Sequence, residues 1–313
     1  MNGKQIVLGA VAVAVVAFLT IKVYPNFPSG RLGVLFYFTA SSHHERQEFQ
    51  ATKEGIMTLP LDASTPINVI IHGYTESSIR PWVVNLTNAL LSRDPSSVVM
   101  LVDYYDLTTI SRPYMMENAR NIAQSTAHLL DLLVKNRGIK LSNIHVMGFS
   151  LGGRISGLVG ARVKTGKIGR ITGIDASYPW LPPVTNEEYL DAEDATLVVN
   201  LRTSLIGSRS PPAHVDFYAN GGTGQPGCQK WYYFGPVQEV CNHYLSVKLM
   251  TEAVENSDKI IFPACKCPNW ESFQNNTCTC EVINHFGLNT DPSIQGSFYF
   301  RTNMEPPYSR PLD

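Results

Sequence analysis

Short runs of β-branched and apolar residues alternate with helical patterns through the middle of the chain. Ile67 to Ile71 predicts a strand that stops at His72-Gly73, and Val98 to Val102 predicts the next. Between Asn118 and Lys135 the apolar residues Ile122, Leu129, Leu130 and Leu133 recur at helical spacing, with Gly138 placed to stop the helix. Asn143 to Met147 and Ile171 to Ile174 predict two further strands, with a helical stretch from Leu151 to Val163 between them. This order predicts an α/β fold, a mostly parallel central sheet with crossover helices on both faces. No repeat, low-complexity tract or domain-sized linker interrupts it, so residues 31–313 read as one domain.

The N-terminus follows a different pattern. An almost unbroken apolar run, Ile6 to Ile21, is bracketed by Lys4 and Lys22. Its length lies between a long signal-peptide core and a short membrane span, which needs roughly 17 to 25 residues. Residues 1–22 therefore read as a signal peptide or a membrane anchor, and either outcome makes the rest of the chain secreted or membrane-anchored. Composition agrees with a packed fold, since 44% of the 313 residues are hydrophobic. The formal charge is −1 with Lys and Arg scattered, which excludes the basic face of a nucleic-acid binder.

All six cysteines lie after residue 227, as expected of staples on loops in an oxidising compartment. Cys228 and Cys241 flank one loop. Cys265, Cys267, Cys278 and Cys280 form two mirrored C-x-C pairs, four zinc ligands or two disulfides. The single-residue spacing favours disulfides, because zinc pairs usually have two or more residues between ligands. Asn85-Leu86-Thr87 and Asn275-Asn276-Thr277 match the N-glycosylation triplet.

Chemistry enters at Gly148-Phe149-Ser150-Leu151-Gly152, the one G-x-S-x-G in the chain. It sits between a predicted strand and a predicted helix, the setting of a nucleophile elbow. Such a turn strains the serine backbone and leaves no room for side chains two residues to either side. Ser150 becomes the candidate nucleophile, with a helix N-terminus beneath it to favour developing negative charge. A serine hydroxyl needs a base, and the base needs an orienting carboxylate. In the order acid then histidine, the candidate bases are His214, His243 and His285. Asp175 ends the run Ile171 to Ile174, where catalytic groups collect at the carboxyl ends of strands, while Asp191, Asp194 and Asp216 are its rivals.

These residues resemble the pancreatic-lipase family, particularly its short arthropod-type members with phospholipase A1 or general lipase activity. The likeness runs from about Val34 to Asn303 and rests on ordered landmarks: Ile70-Ile71-His72-Gly73-Tyr74, Val102-Asp103-Tyr104, the serine motif, Gly173-Ile174-Asp175, His214 to Gly222, Gln225-Pro226-Gly227-Cys228 and Cys241-Asn242-His243. It implies the α/β-hydrolase fold, with Ser150 as nucleophile, Asp175 as acid and His243 as base, and it makes His214 structural. It also implies an oxyanion hole built from the backbone N–H groups of Tyr74 and Leu151.

No cofactor is required by this chemistry and no catalytic metal is expected. The family suggests only a structural calcium, held by Asp191 and Asp194 with carbonyls near Asn186 and Tyr189. The chain departs from the family pattern at Phe149, where many relatives carry His, and at Ala176-Ser177-Tyr178-Pro179 after the acid. It ends at Asp313, so the β-sandwich domain of the larger lipases, and a protein cofactor that would dock on it, are not expected.

The resemblance implies a carboxylic ester hydrolase acting on phospholipid or acylglycerol at a lipid–water interface. The twelve residues between Cys228 and Cys241 make a short lid if the two are joined. In this family short lids accompany phospholipase A1 activity, whereas long ones accompany triacylglycerol lipases. Within the lid, Trp231, Tyr232, Tyr233 and Phe234 form an aromatic run that either packs beneath the loop or touches lipid. The alternatives are a triacylglycerol or general lipase, and a non-catalytic lipid-binding relative of the yolk-protein type.

Overall fold

A computed structural model describes residues 33–312, apart from 42, 110–114, 178–187, 208–211, 230–234 and 260. The N-terminal segment 1–22, Tyr178-Pro179, Asn186 and the aromatic run Trp231 to Phe234 lie outside the described residues.

The predicted strands form the middle of a larger sheet. In chain order its strands are β1 (Leu35–Ala40), β2 (His43–Phe49), β3 (Ile67–Ile71), β4 (Val98–Asp103), β5 (Ile144–Phe149), β6 (Ile168–Ile174), β7 (Ala195–Arg202), β8 (Val215–Ala219), β9 (Pro263–Lys266), β10 (Ile283–His285) and β11 (Gly296–Phe300). They lie side by side as β10-β9-β11-β8-β7-β6-β5-β3-β4-β1-β2. The block from β11 to β4 is parallel throughout. Antiparallel pairs complete both edges: β1 with β2 and β4 at one end, and β9 with β10 and β11 at the other. The sheet is the mostly parallel one expected of an α/β-hydrolase.

The longer helices among the described residues cover it: α1 (Pro81–Arg93), α2 (Met115–Arg137), α3 (Leu151–Gly160) and α4 (Pro236–Glu255). Alternation within β3 shows how both faces are filled. Val69 and Ile71 pack with Ile122, Leu129 and Leu130 of α2 and Ile155 of α3, whereas Ile70 packs with Trp82, Leu86 and Leu90 of α1 and Leu245 and Leu249 of α4. The period-2 geometry of a strand sends these neighbours to opposite sides. Gly138 ends α2 as the pattern predicts, at φ 67°.

The chain runs from β3 outward to β4, then crosses back to lay β5 on the other side of β3. That reversal is a topological switch point, and the loops after β3 and β5 therefore flank one crevice at the carboxyl end of the sheet.

The cysteines pair as Cys228–Cys241, Cys265–Cys280 and Cys267–Cys278. Disulfides, not a zinc site, thus occupy the mirrored C-x-C pairs, and they close a small apolar cluster with Phe273 and Tyr299. Both glycosylation triplets expose their asparagine, although Thr87 of the first is buried. Among the described residues no helix is long and apolar enough to cross a membrane.

Candidate active site

Ser150 follows β5 directly and caps α3, with φ 56° and ψ −120°. This is the strained elbow conformation expected from the motif. It is held by a hydrogen bond from the Ser150 N–H to the Ile174 carbonyl and another from the Ser177 N–H to the Ser150 carbonyl. Close approach explains the flanking glycines. A Cβ on Gly148 would lie 2.2 Å from the Gly152 carbonyl oxygen, and one on Gly152 would lie 2.1 Å from that of Ile71. Bare backbone at 152 is what lets the first turn of α3 pack against the end of β3.

Asp175 emerges after β6 with φ 49° and is fully buried. Its Oδ1 accepts the N–H groups of Thr203 at 2.8 Å and Ser204 at 3.3 Å. Its Oδ2 accepts the His243 Nδ1–H at 2.6 Å and also the Ser204 hydroxyl. Ser204, Asp175 and His243 thus form a triad-like cluster, with the Ser204 oxygen 3.5 Å from His243 Nδ1. Ser204 was not singled out in the sequence, because a serine just past a strand carries no distinguishing signal. It lies on the Nδ1 side of the imidazole, already committed to the carboxylate, so it supports the acid; a nucleophile must face Nε2. His243 Nε2 is buried and has no hydrogen-bond partner among the described residues. The ring packs against Phe149, the residue before Ser150, with centroids 4.5 Å apart. The Phe149 departure therefore has a place: its ring lies among Trp82, His243 and Tyr244.

The rival groups are engaged elsewhere. Asp216 forms a buried ion pair with Arg202, Oδ1 to Nη2 at 2.7 Å, and its Oδ2 accepts the Ala213 N–H. Arg202 in turn donates to the Gly207 carbonyl, in the loop that closes over Asp175. His214 Nδ1 accepts the Val198 N–H at 3.0 Å, a structural role. His285 lies in β10 at the far edge of the sheet.

Asp191 and Asp194 frame a short 3-10 turn. Asp191 accepts the Glu193 N–H, and Asp194 accepts the Asp191 N–H. Burial pushes the Asp194 carboxyl up to about 8. A calcium ion takes six to eight oxygen ligands; of the suggested set the described residues include Asp191, Asp194 and Tyr189, and each of the two carboxylates already accepts a backbone N–H. Among the described residues, the one group of three or more potential metal ligands within reach of one another is the disulfide-bonded cysteines.

Two backbone donors border the crevice. Leu151 is the first residue of α3, where an N–H has no intrahelical acceptor. The Tyr74 N–H, in the loop after β3, has no acceptor among the described residues. That loop is fixed from behind: His72 Nδ1–H donates to the Gly73 carbonyl at 2.9 Å, and His72 Nε2 accepts the Tyr104 N–H at 3.1 Å. The Tyr104 hydroxyl donates to the His72 carbonyl, and its ring stacks on the imidazole.

The family profile "Lipase" matches residues 22–308. Lipase member H from Danio rerio is 32% identical over 265 residues, covering 80% of this chain and 58% of its own length. Phospholipase A1 member A from Mus musculus is 32% identical over 234 residues, covering 73% and 50%. The chain therefore spans about half the length of these relatives. Solved structures with a similar chain course include brefeldin A esterase, a bacterial homologue of human hormone sensitive lipase. It is 16% identical, with a TM-score of 0.33 and coverage of 54% of this chain and 47% of that one. The esterase Est22 has 16% identity, a TM-score of 0.33 and coverage of 57% and 55%. Likeness at that level carries no weight for function.

Proposed function

The chain belongs to the Lipase family, and from that premise we propose that it hydrolyses carboxylic esters of lipids with Ser150 as nucleophile, His243 as base and Asp175 as orienting acid. The observation that carries this reading is a buried imidazole bound through Nδ1 to Asp175, its Nε2 unpartnered among the described residues, packed against the residue that precedes a strained serine elbow. Catalytic hydrogen bonds are commonly loose before substrate arrives, so an unbonded Nε2 suits a resting enzyme.

In the first step Nε2 takes the Ser150 hydroxyl proton as Oγ bonds to the ester carbonyl carbon, and the carbonyl oxygen becomes an oxyanion. The N–H groups of Tyr74 and Leu151 receive that charge, an effect worth roughly 10²–10³ in rate per donor. The imidazolium, steadied by Asp175, then gives its proton to the leaving alcohol as the ester C–O bond breaks. Water, activated by the same imidazole, cleaves the acyl-enzyme and restores Ser150. No step is routed through a metal or cofactor.

Phospholipase A1 activity is the finer reading. It is supported by the short loop between Cys228 and Cys241, closed by their disulfide, and by relatives named phospholipase A1. Export from the cytosol is supported by three disulfides among the described residues and by the apolar run at residues 6–21. The experiment is a fluorophosphonate probe followed by a panel of phosphatidylcholine, triacylglycerol and a short soluble ester. Labelling at Ser150 with release of the sn-1 acyl chain of phosphatidylcholine is expected. Preference for triacylglycerol would replace phospholipase A1 by a general lipase, and absence of both labelling and turnover would leave a lipid-binding protein.

A further inference from the structure

Glu76 is buried in the loop after β3, and its carboxylate receives donors from three separate elements. Oε2 accepts the N–H of Gly73, immediately before the oxyanion residue Tyr74, at 2.9 Å. Trp82 Nε1–H, at the start of α1, donates to both oxygens at 3.1 and 3.3 Å. The Tyr244 hydroxyl, from the residue after His243 on α4, donates to Oε1 at 2.6 Å. The Glu76 N–H returns a bond to the Gly73 carbonyl, closing the turn on itself. Arg80 is the nearby cation, with Nε 3.9 Å from Oε1. Burial holds the Tyr244 phenol well above its ordinary range, so it remains a donor.

We propose that Glu76 is a positioning residue for ester hydrolysis: its carboxylate ties the oxyanion loop to the helix that carries the base. The inference rests on the triad reading given above. The oxyanion donor and the base come from segments some 170 residues apart in sequence, residues 74 and 243, and among the described residues no backbone hydrogen bond joins the loop after β3 to α4. A single carboxylate bonded at one end to Gly73 and at the other to Tyr244 supplies that join. Phe149, packed on Trp82, His243 and Tyr244, fills the space the clamp encloses. Small displacements of catalytic groups are costly, since an error near 1 Å can lower a rate about 100-fold.

The test uses the full chain with Glu76→Ala, Glu76→Gln, Tyr244→Phe and Ser150→Ala, a short soluble ester for kcat and KM, and the rate of phosphonylation by a fluorophosphonate. Glu76→Ala should lower kcat about 10- to 100-fold with KM within about twofold, because the misplacement affects the transition state and not ester binding. Phosphonylation should slow in parallel, because its phosphoryl oxygen uses the same N–H groups. Glu76→Gln should recover about tenfold over Ala, since a carboxamide oxygen can still accept from Gly73 while its NH₂ donates to the Tyr244 oxygen. Tyr244→Phe removes one hydroxyl and keeps the ring, so it carries the test if Glu76→Ala does not fold; a fall in kcat of about tenfold is expected. The clamp is overturned if either folded variant keeps kcat within about twofold of wild type, or if the loss falls in KM alone. If Ser150→Ala stays active, the triad reading fails and the clamp with it, as both do if the wild type turns over no ester. If Ser150→Ala is dead while the Glu76 and Tyr244 variants match wild type, the triad stands and only the clamp falls.

Discussion

Ser204 lies beside His243, while Ser150 follows the residue on which the imidazole packs, and in the proposed triad the two serines take different roles. Ser204 donates to the carboxylate that holds Nδ1, whereas Ser150 occupies the elbow beside the ring's packing partner Phe149. Ser150→Ala should therefore lower ester turnover by on the order of 10⁶, the loss seen when a triad nucleophile is removed, with the fold retained. Ser204→Ala leaves the backbone N–H groups of residues 203 and 204 on Asp175, so its turnover should fall by only about tenfold. Steady-state kinetics on a soluble ester check both. Retained turnover in Ser150→Ala with complete loss in Ser204→Ala would make Ser204 the nucleophile instead. His214→Ala should leave chemistry nearly untouched but strand the Val198 N–H, costing roughly 1–3 kcal/mol of stability by urea unfolding.

At the scale of elements, the elbow depends on how closely the start of α3 approaches the end of β3. Gly152→Ala would place a methyl 2.1 Å from a carbonyl oxygen of β3, a contact that only backbone movement relieves. The variant should unfold at lower temperature and lose activity more than it loses stability, because the same movement displaces Leu151 and the loop that carries Tyr74. The turn at Asp191 to Asp194 provides a pH signature. The Asp194 carboxyl is raised from 3.8 to about 8 by burial, with Asp191 and Glu193 adding repulsion. Between these values the folded protein binds a proton that the unfolded chain has released, so stability falls as pH rises across that range and levels off above it. Asp194→Asn removes the titration and can still accept the Asp191 N–H. Its melting temperature should rise relative to wild type progressively from about pH 4 to about pH 8. A difference independent of pH would show that Asp194 titrates normally.

For the whole molecule, the question is what covers the crevice. The Cys228–Cys241 disulfide closes a loop whose Trp231 to Phe234 run lies outside the described residues. If those aromatics meet lipid, Trp231→Ser with Phe234→Ser should weaken liposome binding and phospholipid turnover and spare a short soluble ester, as removal of interfacial aromatics does. Equal loss on both substrates would instead indicate packing beneath the loop. Reducing the disulfide should free the loop and leave the Asp175–His243 pair in place, because His243 is anchored within a helix and by Asp175.

The local features were readable in advance because their causes are local. Buried parallel strands such as Ile67 to Ile71 need continuous apolar runs, and a strand-to-helix turn with a strained serine needs glycine on both sides; each requirement is met within five or so residues. The candidate acid and base were placed with the help of the family resemblance, since Asp175 and His243 meet across 68 positions of sequence, which periodicity cannot span. The edge strands β1, β2, β9 and β10 and the parallel β7 and β11 do not stand out as strands in the sequence, because strands gain much of their order from neighbours and not from their own composition. The disulfide pairing of Cys265, Cys267, Cys278 and Cys280 likewise needed the fold, as the mirrored spacing favours disulfides without saying which cysteines join. Ser204 and Glu76 carry no pattern at all, and Phe149 stands out only as a departure from the family pattern. Their places beside Asp175, His243 and the loop after β3 come from side chains that converge only once the sheet is assembled, so tertiary structure alone decided them.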